Sequence, residues 1–135
     1  MAAATGGDID EVTVNHPTLG SKTFFPKANE GNTYDLGGIR TSDDADSVAG
    51  GGQGIWVKNR KLGFFEVVVA NDMNINKELE FASQLAADPL EGKWTFSMLN
   101  GAVYTGTGMV VGDLNANTND ATFTLKVSSP KFEQI

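Results

Sequence analysis

Few residues in this chain of 135 could carry out catalysis or bind a metal ion. It contains one histidine, His16, and no cysteine, which excludes thiol nucleophiles, disulfides and metal sites built on several His or Cys ligands. A Ser-His-Asp arrangement through His16 is formally possible, but the residue lies in a turn beside Pro17 and the sequence has no nucleophile elbow. We therefore interpret His16 as a turn residue without a catalytic role.

Two stretches of acidic and amide side chains resemble calcium-binding loops only in part. Segment 113–120 has oxygen-bearing side chains at its first, third and fifth positions, but Thr118 stands where an EF-hand needs Gly and Thr124 where it needs a bidentate Glu. The second stretch, 43–46, lacks the rest of the pattern as well. A hairpin loop, for which Asn and Asp are favoured, is the simpler interpretation of segment 113–120.

Gly106, Gly108 and Gly112 form a run that superficially resembles a phosphate-binding loop. No Lys-Ser/Thr pair follows it, and the glycines lie inside a strand pattern, where Gly more often marks a bulge or the close approach of another backbone. The paired carboxylates of the chain have no catalytic context either. The sequence thus predicts a protein that is not an enzyme and that has no cofactor and no metal.

The net charge and the apolar runs of the chain narrow the classes of molecule to which it could bind. Seventeen acidic against ten basic residues give a net charge of −7, which argues against a protein that binds nucleic acid by neutralising phosphates. The longest uninterrupted apolar run, 67–70, is far shorter than a membrane span, and the first residues lack the features of a secretory signal. We expect one domain over residues 1–135, with no membrane partner.

Alternation of apolar and polar residues with period 2 dominates the pattern. It predicts strands at 11–15, 21–25, 54–60, 63–70, 94–98, 102–112 and 121–128, the last three forming a meander. Asn100-Gly101 is typical of a type I′ hairpin turn, and the apolar run 63–70 predicts a strand covered on both faces.

One segment, 77–87, has helical periodicity; Asn74 or Asn76 would cap its start and Asp88-Pro89 would end it. The predicted fold class is mainly β: a small antiparallel β-barrel or sandwich with one flanking helix and a long Gly/Asp-rich loop.

That loop covers residues 28–54 and is unusually long for a connection inside a compact domain. One interpretation is a mobile surface loop. The other is an arm that becomes ordered against a neighbouring subunit, because Gly and Asp pack poorly on their own chain. For the second interpretation the candidate interface residues are Leu36, Ile39, Asp43, Asp44, Asp46 and Val48.

Four segments of the second half share their order and spacing with a known family. They are helix 77–87, segment 92–101, segment 103–114 with its pattern G-x-G-x-V-x-G-D-L, and strand 121–128 after an amide-rich turn. Together they resemble the tail tube proteins of long-tailed bacteriophages, whose fold is shared by type VI secretion tube proteins. The N-terminal strand pair and the long loop are similar to that family in layout.

The resemblance implies a structural protein of the virion, made in the host cytoplasm, whose subunits assemble with themselves. Six subunits would close a ring, and stacked rings would form a tube through which genomic DNA passes without specific binding. A tail sheath, a baseplate and a tail terminator would be further partners. An excess of acid suits such a lumen, because like charges repel phosphates. Candidate lumen residues are Thr95, Ser97, Thr122 and Thr124, although Lys126 on the same stripe fits less well.

A second function class remains open. A β-sandwich with a Gly/Asp loop could be a carbohydrate-binding or adhesin-type module. That hypothesis requires exposed aromatic residues in a groove, for which Trp56 and Tyr104 are candidates. Assembly into rings or tubes, as opposed to a monomer that retains a sugar, distinguishes the two.

Overall fold

A computed structural model describes residues 6–41 and 47–135, and all structural statements below concern these residues. They form thirteen strands and one helix. In chain order these are β1 (Ile9–His16), β2 (Gly20–Phe24), β3 (Thr33–Asp35), β4 (Gly38–Thr41), β5 (Ser47–Val48), β6 (Gly54–Ile55), β7 (Lys58–Lys61), β8 (Gly63–Ala70), α1 (Glu78–Ala87), β9 (Gly92–Met98), β10 (Val103–Val110), β11 (Ala116–Asn117), β12 (Thr122–Ser129) and β13 (Glu133–Gln134).

Nine of these strands form one antiparallel sheet that folds into two layers. Its order is β2-β1-β9-β10-β12-β8-β3, with β11 beside β12 and β13 beside β10. Strand β10 pairs with β9 through most of its length, but its end, Met109 and Val110, pairs with β12. Because β10 changes partner there, the front layer holds β2, β1, β9, β10 and β13, and the back layer holds β3, β8, β11 and β12. The mainly β, sandwich-like fold class is confirmed.

The core lies between the two layers and follows from the alternation in each strand. The front layer contributes Val12, Val14, Phe24, Trp94 and Phe96, and the back layer contributes Phe65, Val67, Val69, Phe123, Leu125 and Val127. Aromatic rings bridge the layers, as in the Phe65–Phe96 pair with centroids 5.1 Å apart. One face of β8 is buried in this way and the other is only half-buried, so the prediction of a strand covered on both faces was wrong.

The meander was predicted only in part. The β9–β10 hairpin forms, but β12 pairs mainly with β8, along eight residue pairs, and meets β10 only at two. In the connecting turn only Gly101 has a positive φ, and the Gly101 N–H donates to the Met98 carbonyl. The loop is therefore a three-residue turn ending in a left-handed Gly, not a type I′ turn.

Helix α1 packs Ala82 and Leu85 into the core and begins without either predicted cap. Its N-cap residue is Lys77, which adopts a left-handed conformation. Neither Asn74 nor Asn76 caps the helix; the Oδ1 of Asn71 instead accepts the Leu79 N–H at 3.4 Å. Its last residue, Ala87, precedes Asp88 as predicted.

Segment 28–54 is not one long loop. Its residues 33–35 form β3, which pairs with β8 and belongs to the body of the fold. Beyond Gly37 the chain forms a two-stranded projection in which β4 pairs with β7 and β5 with β6. We call residues 38–61 the arm. The predicted strand 54–60 is the returning strand of this arm, because its apolar residues pair within the projection and not with the core.

Candidate assembly surfaces

The described residues contain no group of three or more His, Cys, Asp or Glu side chains that could hold a metal ion. Within the same ranges, 6–41 and 47–135, no helix is long and apolar enough to cross a membrane. The amide-rich turn is held by a hydrogen bond between its own residues: the side-chain Oδ1 of Asn117 accepts the backbone N–H of Asn119 at 2.9 Å. This is the behaviour expected of a hairpin loop.

His16 is buried, with 3% of its surface exposed, and both ring nitrogens have partners in the chain. Its Nδ1 accepts the backbone N–H of Leu19 at 3.1 Å and of Thr18 at 3.2 Å, so the proton lies on Nε2. That nitrogen lies 3.1 Å from the Leu90 carbonyl, to which it donates. The imidazole therefore ties the β1–β2 turn to the segment after α1, which is a structural role.

The glycine run in β10 permits a close crossing of two backbones. A Cβ atom at Gly108 would lie 2.0 Å from the Ser128 carbonyl oxygen, and one at Gly106 would lie 2.7 Å from the Phe132 ring. Ordinary side chains do not fit at either position. The interpretation of these glycines as a close-approach site is confirmed, and they explain how β10 leaves one layer and joins the other.

The arm leaves the body at a second glycine crossing. A Cβ at Gly37, which has a φ of +76°, would lie 2.4 Å from the Gly63 nitrogen, and a Cβ at Gly63 would lie 2.7 Å from the Leu36 oxygen. Beside this crossing Arg40 donates to Asp35 at 3.0 Å. The Arg40 guanidinium, together with the Gly37 N–H, holds the pKa of the Asp35 carboxyl below its usual value. These contacts fix the direction in which the arm emerges.

The arm exposes many apolar side chains, and its returning strand β7 is cationic. Six large apolar residues in or beside it are exposed to solvent: Ile39, Val48, Ile55, Trp56, Val57 and Leu62. Every residue of β7 is also exposed, and three of the four are cationic: Lys58, Arg60 and Lys61. In a chain of net charge −7 this is a local concentration of positive charge. Surfaces of this kind mark sites of interaction.

The candidate interface residues fall into three groups. Ile39 and Val48 are exposed on the arm. Leu36 instead packs against the core of its own chain, and its carbonyl accepts the Phe132 N–H at 2.8 Å. The remaining three, Asp43, Asp44 and Asp46, lie outside the described residues.

A second surface, which we call the hydroxyl face, is the outer face of the front layer, where half-buried hydroxyl side chains stand in register. Thr23, Thr13, Thr95 and Thr105 are direct neighbours across β2, β1, β9 and β10. We call these four residues the threonine row. On one side of it lies a row of Ser21, Asn15, Lys93 and Thr107, and on the other a row of Glu11, Ser97 and Val103. The threonine row meets Glu133 on β13, so these rows carry two carboxylates and one ammonium group and contain little of the acidic excess that the net charge predicted.

The four candidate lumen residues are divided between the two layers. Thr95 and Ser97 lie on the hydroxyl face just described. Thr122 and Thr124 lie on β12 in the back layer, where Thr122 is only 5% exposed and is thus buried in its own subunit. Lys126, which fitted poorly in the lumen stripe, belongs to this layer too, with its ammonium 5.0 Å from the Phe64 ring centroid.

Sequence reasoning missed several surface residues. Leu62 was one of them, and Trp56 was named only as a sugar-binding candidate. Both are exposed, although the alternation around Trp56 resembles that of a core strand. The signal that could have separated the two is charge, because three of the four residues of β7 are cationic and a core strand does not tolerate such a run. Thr13 and Thr105 were missed because only strand pairing brings them beside Thr95.

Comparison with known proteins finds a shared fold among solved structures. No protein-family model matches the chain, and no curated protein matches it. Eight chains of solved structures match. One belongs to the cryo-EM structure of the anti-feeding prophage (AFP) baseplate, 6-fold symmetrised. It has a TM-score of 0.50 and 12% sequence identity, and the match covers 100% of this chain and 97% of that chain. At this identity the similarity shows a shared fold.

Proposed function

We propose that the chain is a structural subunit of a phage-like tail or contractile injection particle, and that it is a tube protein. Its copies close rings, with six as the expected number, and the rings stack into a tube. It acts without catalysis and without a cofactor. The fold shared with a chain of a prophage baseplate supports the general role, and the resemblance of segments 77–87 and 92–128 to tail tube proteins supports the specific one.

The observation that carries the proposal is the arm. It projects from the two-layered body and exposes large apolar side chains, of which Trp56 is 60% exposed. Burying one such side chain is worth roughly 1.5–3 kcal/mol, so burial of these side chains against another copy would favour association. A contact between the arm and another copy is heterologous, since two different surfaces meet. Such contacts close into a ring when the rotation between copies completes a circle, and they form an open filament when it does not.

The hydroxyl face supplies a surface suited to a channel wall. Its threonine row crosses four consecutive strands, so it would continue around a ring in which neighbouring subunits align their front layers. DNA adheres to proteins mainly through clustered cations that neutralise phosphates. The three rows contain only Lys93 as a cation, opposed by Glu11 and, where the threonine row meets β13, by Glu133. We infer that DNA passes this wall without binding because the wall is nearly neutral.

The same proposal gives the protein its partners and location. Its principal partner is a second copy of itself, and it resides in the assembled particle. Baseplate components, a terminator and, in a contractile particle, a sheath would contact the ends and the outside of the tube. The neighbour's position in a baseplate suits a component that meets other tail proteins.

The alternative of a sugar-binding module depends on exposed aromatic residues. Trp56 is exposed as that hypothesis requires. Tyr104, the other candidate, stacks on Phe96 with ring centroids 5.3 Å apart and packs against the core. One exposed indole on a projecting arm offers a sugar less than the paired aromatic surfaces of a groove, and we therefore favour assembly.

Electron microscopy of the purified protein tests the proposal. We expect rings or tubes in negative stain and a sedimentation coefficient that rises with protein concentration, because the arm and the open strand edges remain unsatisfied in a monomer. Binding to a panel of polysaccharides is measured in parallel. A monomer at every concentration that retains a sugar would overturn the tube and favour the alternative.

A cationic substitution in the threonine row tests the channel wall. Tubes of Thr95→Lys should retain double-stranded DNA at low salt and release it as salt is raised, with at least about tenfold more DNA held than by the parent tubes. Nucleic acid that co-sediments with tubes at two salt concentrations measures the effect. Thr124→Lys, a threonine of the back layer, is the matched control. DNA retention by the control and not by Thr95→Lys would show that the other layer faces the channel.

A further inference from the structure

The front layer ends in two strands of different length. On one side the last strand is β2, and in the described chain its five residues pair with β1 alone. On the other side the last strand is β13, whose two residues pair with Tyr104 and Thr105 of β10. β10 itself has eight residues. β13 is thus a short strand that covers part of a long one.

Strand direction distinguishes the two ways in which a second copy could extend this layer. Every pairing in the layer is antiparallel, so β2 and β13 run in the same direction and β10 runs in the opposite one. Copies in a ring are related by rotation about its axis, so equivalent strands keep the same direction along it. A neighbour's β2 would be parallel to β13 but antiparallel to β10. Parallel pairs are slightly less stable per residue, which favours β10 as the partner.

The outer edge of β2 has backbone groups that are free to pair. The Phe25 carbonyl accepts the Ala70 N–H at 2.9 Å, so it points away from β1. Backbone groups two residues apart in a strand point the same way, so those of Ser21 and Thr23 also point away from β1. The side chains of Ser21 and Thr23 lie on the hydroxyl face.

The outer edge of β10 has the same arrangement, but β13 covers it. The Val103 carbonyl accepts the Ile135 N–H at 2.9 Å, so the backbone groups of Val103 and Thr105 point away from β9. Their side chains also lie on the hydroxyl face. Residues opposite each other in an antiparallel pair share a face, so β2 beside β10 would continue the hydroxyl face from one copy to the next.

Few contacts hold the covering segment in place. Glu133, Gln134 and Ile135 are all exposed, the last by 79%. Glu133 and Lys131 form an ion pair at 3.9 Å between two exposed side chains, and such pairs contribute little to stability. The preceding residue, Phe132, is buried in the core. Residues 133–135 can therefore leave β10 while Phe132 keeps its place.

We propose that residues 133–135 are a displaceable cover on the edge of β10, and that β2 of the next copy takes their place when a ring closes. The inference rests on the proposed function and deepens it, because it names the two strands that meet and the contact that must break first. β2 has five residues against two in β13, so the exchange lengthens the pairing. Until the cover leaves, the free subunit is protected from edge-to-edge association.

Two cysteines can lock the cover, since the chain has none of its own. Thr105 and Glu133 are direct partners, and Cα atoms of opposite residues lie about 4.5–5.5 Å apart, within reach of a disulfide. The variant Thr105→Cys with Glu133→Cys should form tubes when reduced. Once oxidised it should form at least about tenfold fewer, because the cover can no longer leave. Negative stain counts the tubes, and thiol titration measures the locked fraction.

A second pair of cysteines reports the new contact. In one subunit Thr23 and Thr105 are three strand spacings apart, about 14 Å, which excludes a disulfide within the subunit. Assembled tubes of Thr105→Cys with Thr23→Cys should instead give a ladder of covalent multimers on oxidation. Thr105→Cys with Ser21→Cys tests the register shifted by two residues, because strands in a closed sheet are staggered. At least one of the two pairs should give the ladder.

The outcomes separate this inference from the tube itself. Thr23→Cys with Glu133→Cys reports the arrangement in which β13 stays and pairs with the neighbour. A ladder from that pair alone, tubes without a ladder from either Thr105 pair, or normal tubes from the oxidised lock would overturn the exchange and leave the tube intact. A parent protein that forms neither rings nor tubes would overturn both.

Removal of residues 133–135 keeps the inference testable if the lock forms incompletely. These residues are exposed, so the shortened chain should fold with an unchanged circular dichroism spectrum. Its tubes should appear at a protein concentration at least about threefold lower than those of the parent, because no cover has to leave. Glu133→Gln removes the charge but keeps the strand, and as the matched control it should assemble like the parent. Loss of tubes after the removal would show that β13 is itself the ring contact.

Discussion

Removing residues 43–52 should leave a folded subunit that no longer forms tubes. The deletion takes away β5 and the turn beyond it, so β6 loses its partner and Ile55 and Trp56 are no longer held in place. None of the core residues that the structure describes is removed, and β4 still pairs with β7 at the root. Losing two apolar contacts of this size costs about 3–6 kcal/mol per stacked subunit, which corresponds to at least about a hundredfold in affinity.

Two measurements on this variant are needed together. Circular dichroism and thermal unfolding report the fold, and filament length in negative stain reports stacking. The control Gln53→Ala changes an exposed polar residue of the same arm tip and should retain full-length tubes. Unchanged tubes after the deletion would show that the arm does not contribute to stacking. Loss of the fold would show that the arm stabilises the body.

Gly108→Ala should destabilise the subunit severely. The added methyl group would lie 2.0 Å from the Ser128 carbonyl oxygen and 2.9 Å from its carbon, and both are backbone atoms. Relief requires β10 and β12 to separate where β10 passes from the front layer to the back layer. The Gly108 carbonyl also accepts the Trp94 indole N–H at 3.3 Å. We expect a cost of about 4 kcal/mol or more, a large share of the stability of a small domain.

Chemical denaturation of the soluble fraction measures this cost, and the soluble yield is a second readout. Gly51→Ala is the matched control, because Gly51 has open space around it and no positive φ. It should change the free energy of unfolding by no more than about 0.5 kcal/mol. Equal stability of the two variants would mean that the backbones at Gly108 are not in contact as described.

Local periodicity was sufficient to predict most of the regular elements. The alternation in β8, β9 and β12 is visible in the sequence because each places one face in the core, and the helix was predicted to within a residue of its observed start. The arm shows where this reasoning fails. Ile55 and Val57 alternate with their neighbours as core residues do, but both are exposed. Alternation reports an extended backbone, and it does not report what the strand pairs with.

The two candidate surfaces differ in how far they could be predicted. The length and Gly/Asp content of segment 28–54 predicted either a mobile loop or an arm, and two of its candidate interface residues, Ile39 and Val48, are exposed in the single chain. The hydroxyl face could be predicted only in fragments. Thr95 and Ser97 were identified from one strand, whereas Thr122, at the same kind of alternating position, is buried. Which face of a strand meets solvent depends on the layer to which it belongs.

By itself the sequence determined that the chain is mainly β, that it has one helix, and that its chemistry-bearing residues form no recognisable catalytic motif. These properties depend on residue types and on spacings of a few positions. Only the tertiary structure decided the rest: that β12 joins β8, that four threonines from different strands stand side by side, and that the arm leaves the body at the start of β8. A local pattern shows which residues of a strand share an apolar face, but which distant strands pair is decided by contacts between residues far apart in the chain.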